Sequence, residues 1–408
     1  MTDENINNLI NEAQIINNQL RIFNNQKIVD FSFVNDYDIN KLIIEECPKI
    51  SFIGTPTNII ELEINNCQLK FLDGIQQMIQ LEVLSLVYNS ISEIQGVCEL
   101  INLQELYLNG NCLKNIYNIQ NLTNLTKLLL GQNELTDISA ISCLNQLNIL
   151  YMQQNKIYDI DCLQKLCNLK ELFISENKIT NIISLGNLIN LQTLLISNNN
   201  ISDISALKHL TYIKQLDLSH NKQVRDIYHL KFLVNLEQLH IIQCSLTDIS
   251  PLRALTKLEI LNLEGNQLID ISVLQHLTEL QQLQLCDNNI ICIDSLYNLN
   301  YLTFLNLSMN MISEFDSIRD LPSHVLVYQD FQQIATQNDI NFSNKLFAIF
   351  RASEHNIQFQ LKLQSQKQIS LQFKTKIHQI MDTALQNFVH FSQNVTNLFL
   401  SNIQGAFQ

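Results

Sequence analysis

The sequence predicts an α/β solenoid, a curved stack of repeats with a concave parallel β-sheet and short helical turns on its convex side, followed by a C-terminal helical segment. Three observations predict it. The string Leu-x-x-Leu-x-Leu-x-x-Asn starts at Leu81 and returns at Leu103, Leu125, Leu147, Leu169 and Leu191, always twenty-two residues apart. It continues from Ile213, then after one extra residue from Leu236, and again from Leu258, Leu280 and Leu302, which makes eleven copies. Inside each copy the apolar residues alternate over a short stretch, the period of a strand with one buried face. After it, Asp-Ile-Ser recurs at Asp137, Asp203, Asp248 and Asp270, and Pro251 follows Ser250. Both are helix-start signals. One such unit cannot bury a core alone, so the copies must stack.

Taken in order, residues 1 to 26 carry Ile6, Leu9, Ile10, Ile15, Ile16 and Leu20 at helical scatter, which predicts a short amphipathic helix. Val29, Phe31 and Phe33 then alternate, as in a first strand, and two degenerate repeats start at Ile39 and Ile59. Terminal repeats depart from the pattern because they cap an edge. In a regular unit, Leu125, Leu128 and Leu130 point inward and Asn133 turns the chain. Its amide donates and accepts at once, so the stacked asparagines can bond the backbone of successive turns. The stretch NKQVRDI, one residue longer than its counterparts, predicts a local bulge between Asn221 and Ile227. A last strand is expected near His324 to Tyr328, after Leu321-Pro322. From Ile369, apolar residues at three- and four-residue steps (Phe373, Ile377, Ile380, Leu385, Phe388) predict a long amphipathic helix. Residues 357 to 363 fit a strand or a helix. Three regions result: 1–38, an N-terminal helix and capping strand; 39–328, the solenoid; 329–408, a C-terminal helical extension.

Charge and cysteine usage narrow the function. The net charge is −14, yet residues 331–408 hold six basic and three acidic side chains, leaving the preceding 330 residues at −17. An acidic solenoid repels phosphate backbones, which argues against nucleic acid as a partner. The start, MTDENINNLINEAQII, lacks the basic and then apolar pattern of a secretory signal, and no apolar run reaches the roughly eighteen residues of a membrane helix. Cys47, Cys67 and Cys244 stand where the repeat places asparagine, and no Cys-x-x-Cys pair is present. They are expected as reduced packing residues. The protein is therefore expected in the cytoplasm or nucleus.

The units resemble leucine-rich repeats of the twenty-two-residue class, found in regulators of type-1 protein phosphatase and in bacterial internalins. The resemblance covers roughly residues 39 to 328. It implies a non-enzymatic scaffold that binds a protein on its concave face, and the phosphatase branch implies a Ser/Thr phosphatase catalytic subunit as that partner. Lys27-Ile28-Val29-Asp30-Phe31 looks like the short docking motif of phosphatase regulators, although Val29 and Phe31 equally suit the inward side of a strand. The internalin branch implies a surface adhesin, and the tail alone would suit a cytoskeletal or ciliary structural protein or self-association through the C-terminal helix.

No glycine-rich phosphate loop, Gly-x-Ser-x-Gly elbow or His-Glu-x-x-His is present, so neither catalysis nor a cofactor is expected. His220 and His240 near Asp217 could form an acid–base or metal group, but such surface histidines are more often solvated. The concave sheet is the informative site. Repeat register turns outward Tyr107, Leu129, Tyr151, Phe173 and Leu195 on five consecutive strands, spaced about 4.8 Å apart. Tyr88, Val83, Val87 and Ile149 enlarge that area. A contiguous apolar patch of this kind marks an interaction surface, and tyrosine and phenylalanine are favoured anchors. The competing reading is that the rings only stack on one another. Glu105, Glu171 and Asp217 belong to an acidic rim, with Lys127 its lone base, that would steer a basic partner.

Overall fold

The alternating leucines form the sheet that the repeat predicts. The computed structural model describes residues 14–16, 18–24, 39–48, 57–312 and 325–328. Among them sixteen strands form one sheet in chain order. They are β1 (Gln14–Ile16), β2 (Gln19–Phe23), β3 (Lys41–Glu45), β4 (Glu61–Asn65), β5 (Val83–Ser85), β6 (Glu105–Tyr107), β7 (Lys127–Leu129) and β8 (Ile149–Tyr151). There follow β9 (Glu171–Phe173), β10 (Thr193–Leu195), β11 (Gln215–Asp217), β12 (Gln238–His240), β13 (Ile260–Asn262), β14 (Gln282–Gln284), β15 (Phe304–Asn306) and β16 (Leu326–Tyr328). From β2 onward every pairing is parallel, and the central leucines 84, 106, 128, 150, 172, 194 and 216 stack in register. Each is fully buried. The strand expected near residues 324 to 328 is β16.

The amino-terminal expectation is corrected where the structure describes it. β1 and β2 pair antiparallel, with Gln14 opposite Arg21 and Ile16 opposite Gln19, so the described part of 1–26 is strand and not the predicted helix. Asn18, just before β2, sits at φ 59, a left-handed conformation that asparagine tolerates in tight turns. Leu20 and Ile22 are then buried by strand alternation. The strand and docking motif predicted at 27–33, and the helix predicted from Ile369, lie outside the described residues.

The convex turns are short 3₁₀ helices of three to five residues, such as Ser139–Cys143 and Ser250–Ala254, the latter with proline at its start. Several follow a carboxylate turn: Asp137 accepts the Ser139 N–H at 2.8 Å, and Asp203, Asp248 and Asp270 do the same for Ser205, Ser250 and Ser272. That backbone N–H holds the carboxyls of Asp137, Asp203 and Asp270 below the usual range. Their share of stability is full above a pH of about 4 and falls away as acid protonates them.

The asparagine ladder stitches the turns. Asn111 accepts the Ile91 N–H at 3.0 Å and donates to the carbonyls of Leu86 at 2.9 Å and Leu108 at 3.0 Å, and the same set recurs at Asn133, Asn155, Asn177 and Asn199. The extra residue after Asn221 leaves the strands untouched, since β11 and β12 pair in register. It changes the ladder instead. Val224 N–H turns back to the Asn221 carbonyl at 2.9 Å, where other repeats send the equivalent N–H to the next asparagine. The next ladder residue is accordingly Cys244, which has no side-chain carbonyl and donates its thiol toward Leu218 and Ile242 at 3.4 Å. Burial pushes that thiol up to about 11, so it stays protonated and unreactive.

Candidate functional site

Strand alternation sends the middle residue of each strand into the core and its two neighbours to the concave face, so the face is made of columns one strand apart. The main column runs Glu63, Ser85, Tyr107, Leu129, Tyr151, Phe173, Leu195, Asp217, His240, each opposite the next. The five apolar residues predicted to lie together do so. They are half-buried, not fully exposed. Tyr151 and Phe173 stack face to face, with ring centroids 3.9 Å apart and planes 3° from parallel.

The neighbouring column is Glu61, Val83, Glu105, Lys127, Ile149, Glu171, Thr193. Its carboxylates fasten the tyrosines. Tyr107 donates its hydroxyl to Glu105, and Tyr151 donates to Glu171 at 2.6 Å. The Lys127 ammonium lies 4.9 Å from the Tyr107 ring centre, within cation–π reach. These bonds hold both rings in one orientation, an arrangement that would lower the ordering cost of any binding there.

Burial first, and then the accepting carboxylate, holds the Tyr107 and Tyr151 phenols above the usual range. A raised value means their share of stability is complete below a pH of about 10 and is lost as the pH rises through the folded-state value. In an alkaline titration followed by tyrosinate absorbance, Tyr107 and Tyr151 are therefore expected to ionise late, together with Tyr117, whose hydroxyl donates to Asp137 at 3.0 Å. Tyr107→Phe and Tyr151→Phe should each remove one late step, and a single transition for all tyrosines would contradict the site geometry.

Beyond the strands the columns become polar. Asn109, Gly131, Gln153, Ser175 and Ser197 flank the stripe on the side opposite the glutamates. A Cβ on Gly131 would meet the Gln153 amide at 2.7 Å, so the missing side chain makes room for that amide. The next position along is left-handed in nearly every repeat, at Gln132, Gln154, Glu176, Asn198 and His220. Tyr88 occupies it at φ 55, an uncommon conformation for a bulky residue, with its ring laid over Gly110, where a Cβ would come within 2.3 Å of it. Tyr88 thus stands at the rim and apart from the stripe, 58% exposed.

Two features escape sequence reasoning. Lys41 is a second base on the concave face, bridging Glu61 at 2.6 Å and Glu63 at 3.0 Å, so Lys127 is not the lone one. A second asparagine ladder lines the strand-entry side, where Asn102, Asn124, Asn168 and Asn190 each donate to a carbonyl of the preceding repeat at 2.8–2.9 Å. An Asn that recurs at the end of only some units, at 102, 124, 168, 190 and 235, is its only sign in the sequence. Asp217 and His240 do lie side by side on β11 and β12. Among the described residues, however, no group of three or more His, Cys, Asp or Glu is placed to hold a metal ion. No helix among them is long and apolar enough to cross a membrane.

Comparison with known proteins agrees with this architecture. The family model for leucine-rich repeats in two copies matches residues 189–231 and 234–276. No curated protein matches the sequence. Among solved structures, an internalin (inlF) from Listeria monocytogenes is 28% identical with a TM-score of 0.64, over 68% of this chain and 84% of its own. A leucine-rich repeat protein of Leptospira interrogans is 23% identical with a TM-score of 0.71, over 79% of this chain and 86% of its own. The functional domain of InlJ from Listeria monocytogenes is 23% identical with a TM-score of 0.57, over 70% of this chain and 66% of its own. With its ladders, its parallel sheet and these likenesses, the chain is a leucine-rich repeat protein that resembles the internalins.

Proposed function

We propose that the protein is a non-enzymatic interaction scaffold that binds a protein partner on its concave face, over Tyr107, Leu129, Tyr151, Phe173 and Leu195. The observation that carries this reading is the stacked and hydrogen-bonded pair Tyr151–Phe173 at the centre of an apolar column five strands long. Aromatic anchors preset in this way, surrounded by polar columns, have the anatomy of an interaction hot spot. Glu105, Glu171 and Asp217 bound the site, and Tyr88 adds a contact at the rim. The cytoplasmic or nuclear location, and the finer role of regulatory subunit to a Ser/Thr phosphatase, rest on the free cysteines and on the repeat class. Self-association through the segment from Ile369 belongs to the same proposal.

Affinity capture from a lysate, comparing the parent with the Tyr151→Ala, Phe173→Ala double variant, tests both levels. The expected result is a partner held by the parent and lost by the variant at unchanged secondary structure, and recovery of a phosphatase catalytic subunit would support the finer role. Identical captures would turn attention away from the concave face. A second reading, a surface recognition protein, is favoured by the 28% identity to an internalin. An enrichment of cell-surface proteins in the capture would select it.

A further inference from the structure

The reading above leaves the partner's chemistry open, and the arrangement of charge around the stripe narrows it. The apolar column spans four strand steps, roughly 19 Å, and is one side chain wide except on β8, where Ile149 adjoins Tyr151. Its flanks differ. On one side stand Glu105 and Glu171, with Lys127 between them over the Tyr107 ring, and on the other the adjoining residues, Asn109 through Ser197, are neutral, with Glu176 one position further out. At its ends, in the same column, stand Glu63 and Asp217, seven steps or roughly 34 Å apart. Glu63 is already matched by Lys41. Among the described residues Glu105 and Glu171 accept only tyrosine hydroxyls, and Asp217 accepts the Ser219 N–H at 2.9 Å. None of these three takes part in an ion pair among the described residues.

The backbone of the sheet is fully used by its own parallel pairings, so a peptide crossing the strands finds no backbone partner on this face. An extended segment lying there would leave its N–H and C=O groups over apolar side chains, at a cost that a helix avoids by bonding them internally. A column of roughly 19 Å matches about thirteen residues of helix, three to four turns.

Building on the concave-face reading, we propose that the ligand is a basic amphipathic helix lying across the strands, its apolar stripe seated on Tyr107 to Leu195 and its lysine or arginine side chains reaching Glu105, Glu171 and Asp217. Burial of the stripe supplies affinity, and the one-sided charge sets polarity and orientation.

The test uses the full chain and two fluorescein-labelled helical peptides of about eighteen residues with the same leucine face, one bearing lysines beside it and the other glutamates. Fluorescence anisotropy is read at roughly 50 and 300 mM salt, which spans strong to weak screening. The lysine peptide is expected to bind at least about tenfold more tightly than the glutamate peptide, and to weaken with salt. Glu105→Gln, Glu171→Gln, Asp217→Asn should erase that preference while leaving the melting transition in place, since the amides still accept the same hydroxyl and N–H donors. Equal binding of both peptides, lost together in Tyr151→Ala, Phe173→Ala, overturns the charge assignment and leaves the concave site standing. Binding of neither peptide overturns the helical ligand. Binding of either that survives the aromatic double variant overturns the ligand and the concave site alike.

Discussion

Leu150→Ala is expected to lower folding stability by about 2–5 kcal/mol, measured by denaturant unfolding. Leu150 is fully buried at the middle of β8, with Leu128 and Leu172 beside it in register and Met152, Leu147 and Ile157 in the same core. Truncation leaves a cavity that the neighbours cannot fill, because they belong to repeats whose spacing is held by hydrogen bonds on both sides. The adjacent residue gives the contrast. Tyr151→Ala removes a half-buried ring whose stacking on Phe173 contributes about 0.5–1.5 kcal/mol beyond area burial. The two substitutions, one residue apart, should therefore separate: the first mainly in stability, the second mainly in binding. Equal losses of stability would mean that the strand faces are misassigned.

That contrast was legible in the sequence, because a strand period of two and a repeat of twenty-two fix each residue's face and its neighbours without any coordinates. The columns Tyr107 to Leu195 and Glu105 to Glu171 follow from counting. What counting does not show is how far side chains reach. The bond from Tyr151 to Glu171 and the position of Lys127 over Tyr107 depend on rotamers, and they turn an apparently open apolar stripe into a half-buried, braced one. Lys41 escaped notice for a different reason. Its repeat is degenerate, so its register with Glu61 and Glu63 is visible only once β3 and β4 are paired. At the amino terminus, Ile15, Ile16 and Leu20 fit a helical scatter, but the pairing of β2 with β1 and β3 outweighs that local pattern. Edge protection is then supplied by the antiparallel strand β1.

The ladder carries the other large effect. Asn177 accepts the Ile157 N–H at 3.0 Å and donates to the carbonyls of Met152 at 3.0 Å and Ile174 at 3.1 Å, all buried. Asn177→Ala strands these groups, each at about 1–3 kcal/mol, so the loss should match or exceed that of the core leucine. Asn177→Asp separates hydrogen bonding from packing, being nearly the same size. Its carboxylate can still accept from Ile157, but its second oxygen faces two carbonyls and must be protonated to bond either one. The proton is held in the folded state and released on unfolding, so the aspartate deficit should be large at neutral pH and should narrow, relative to the parent at the same pH, as the pH falls toward about 4. An aspartate variant as stable as the parent at neutral pH would show that the amide donor contributes nothing. The ladder would then be only a spacer, and the coincidence of Cys244 with the longer Asn221 turn would lose its physical reason.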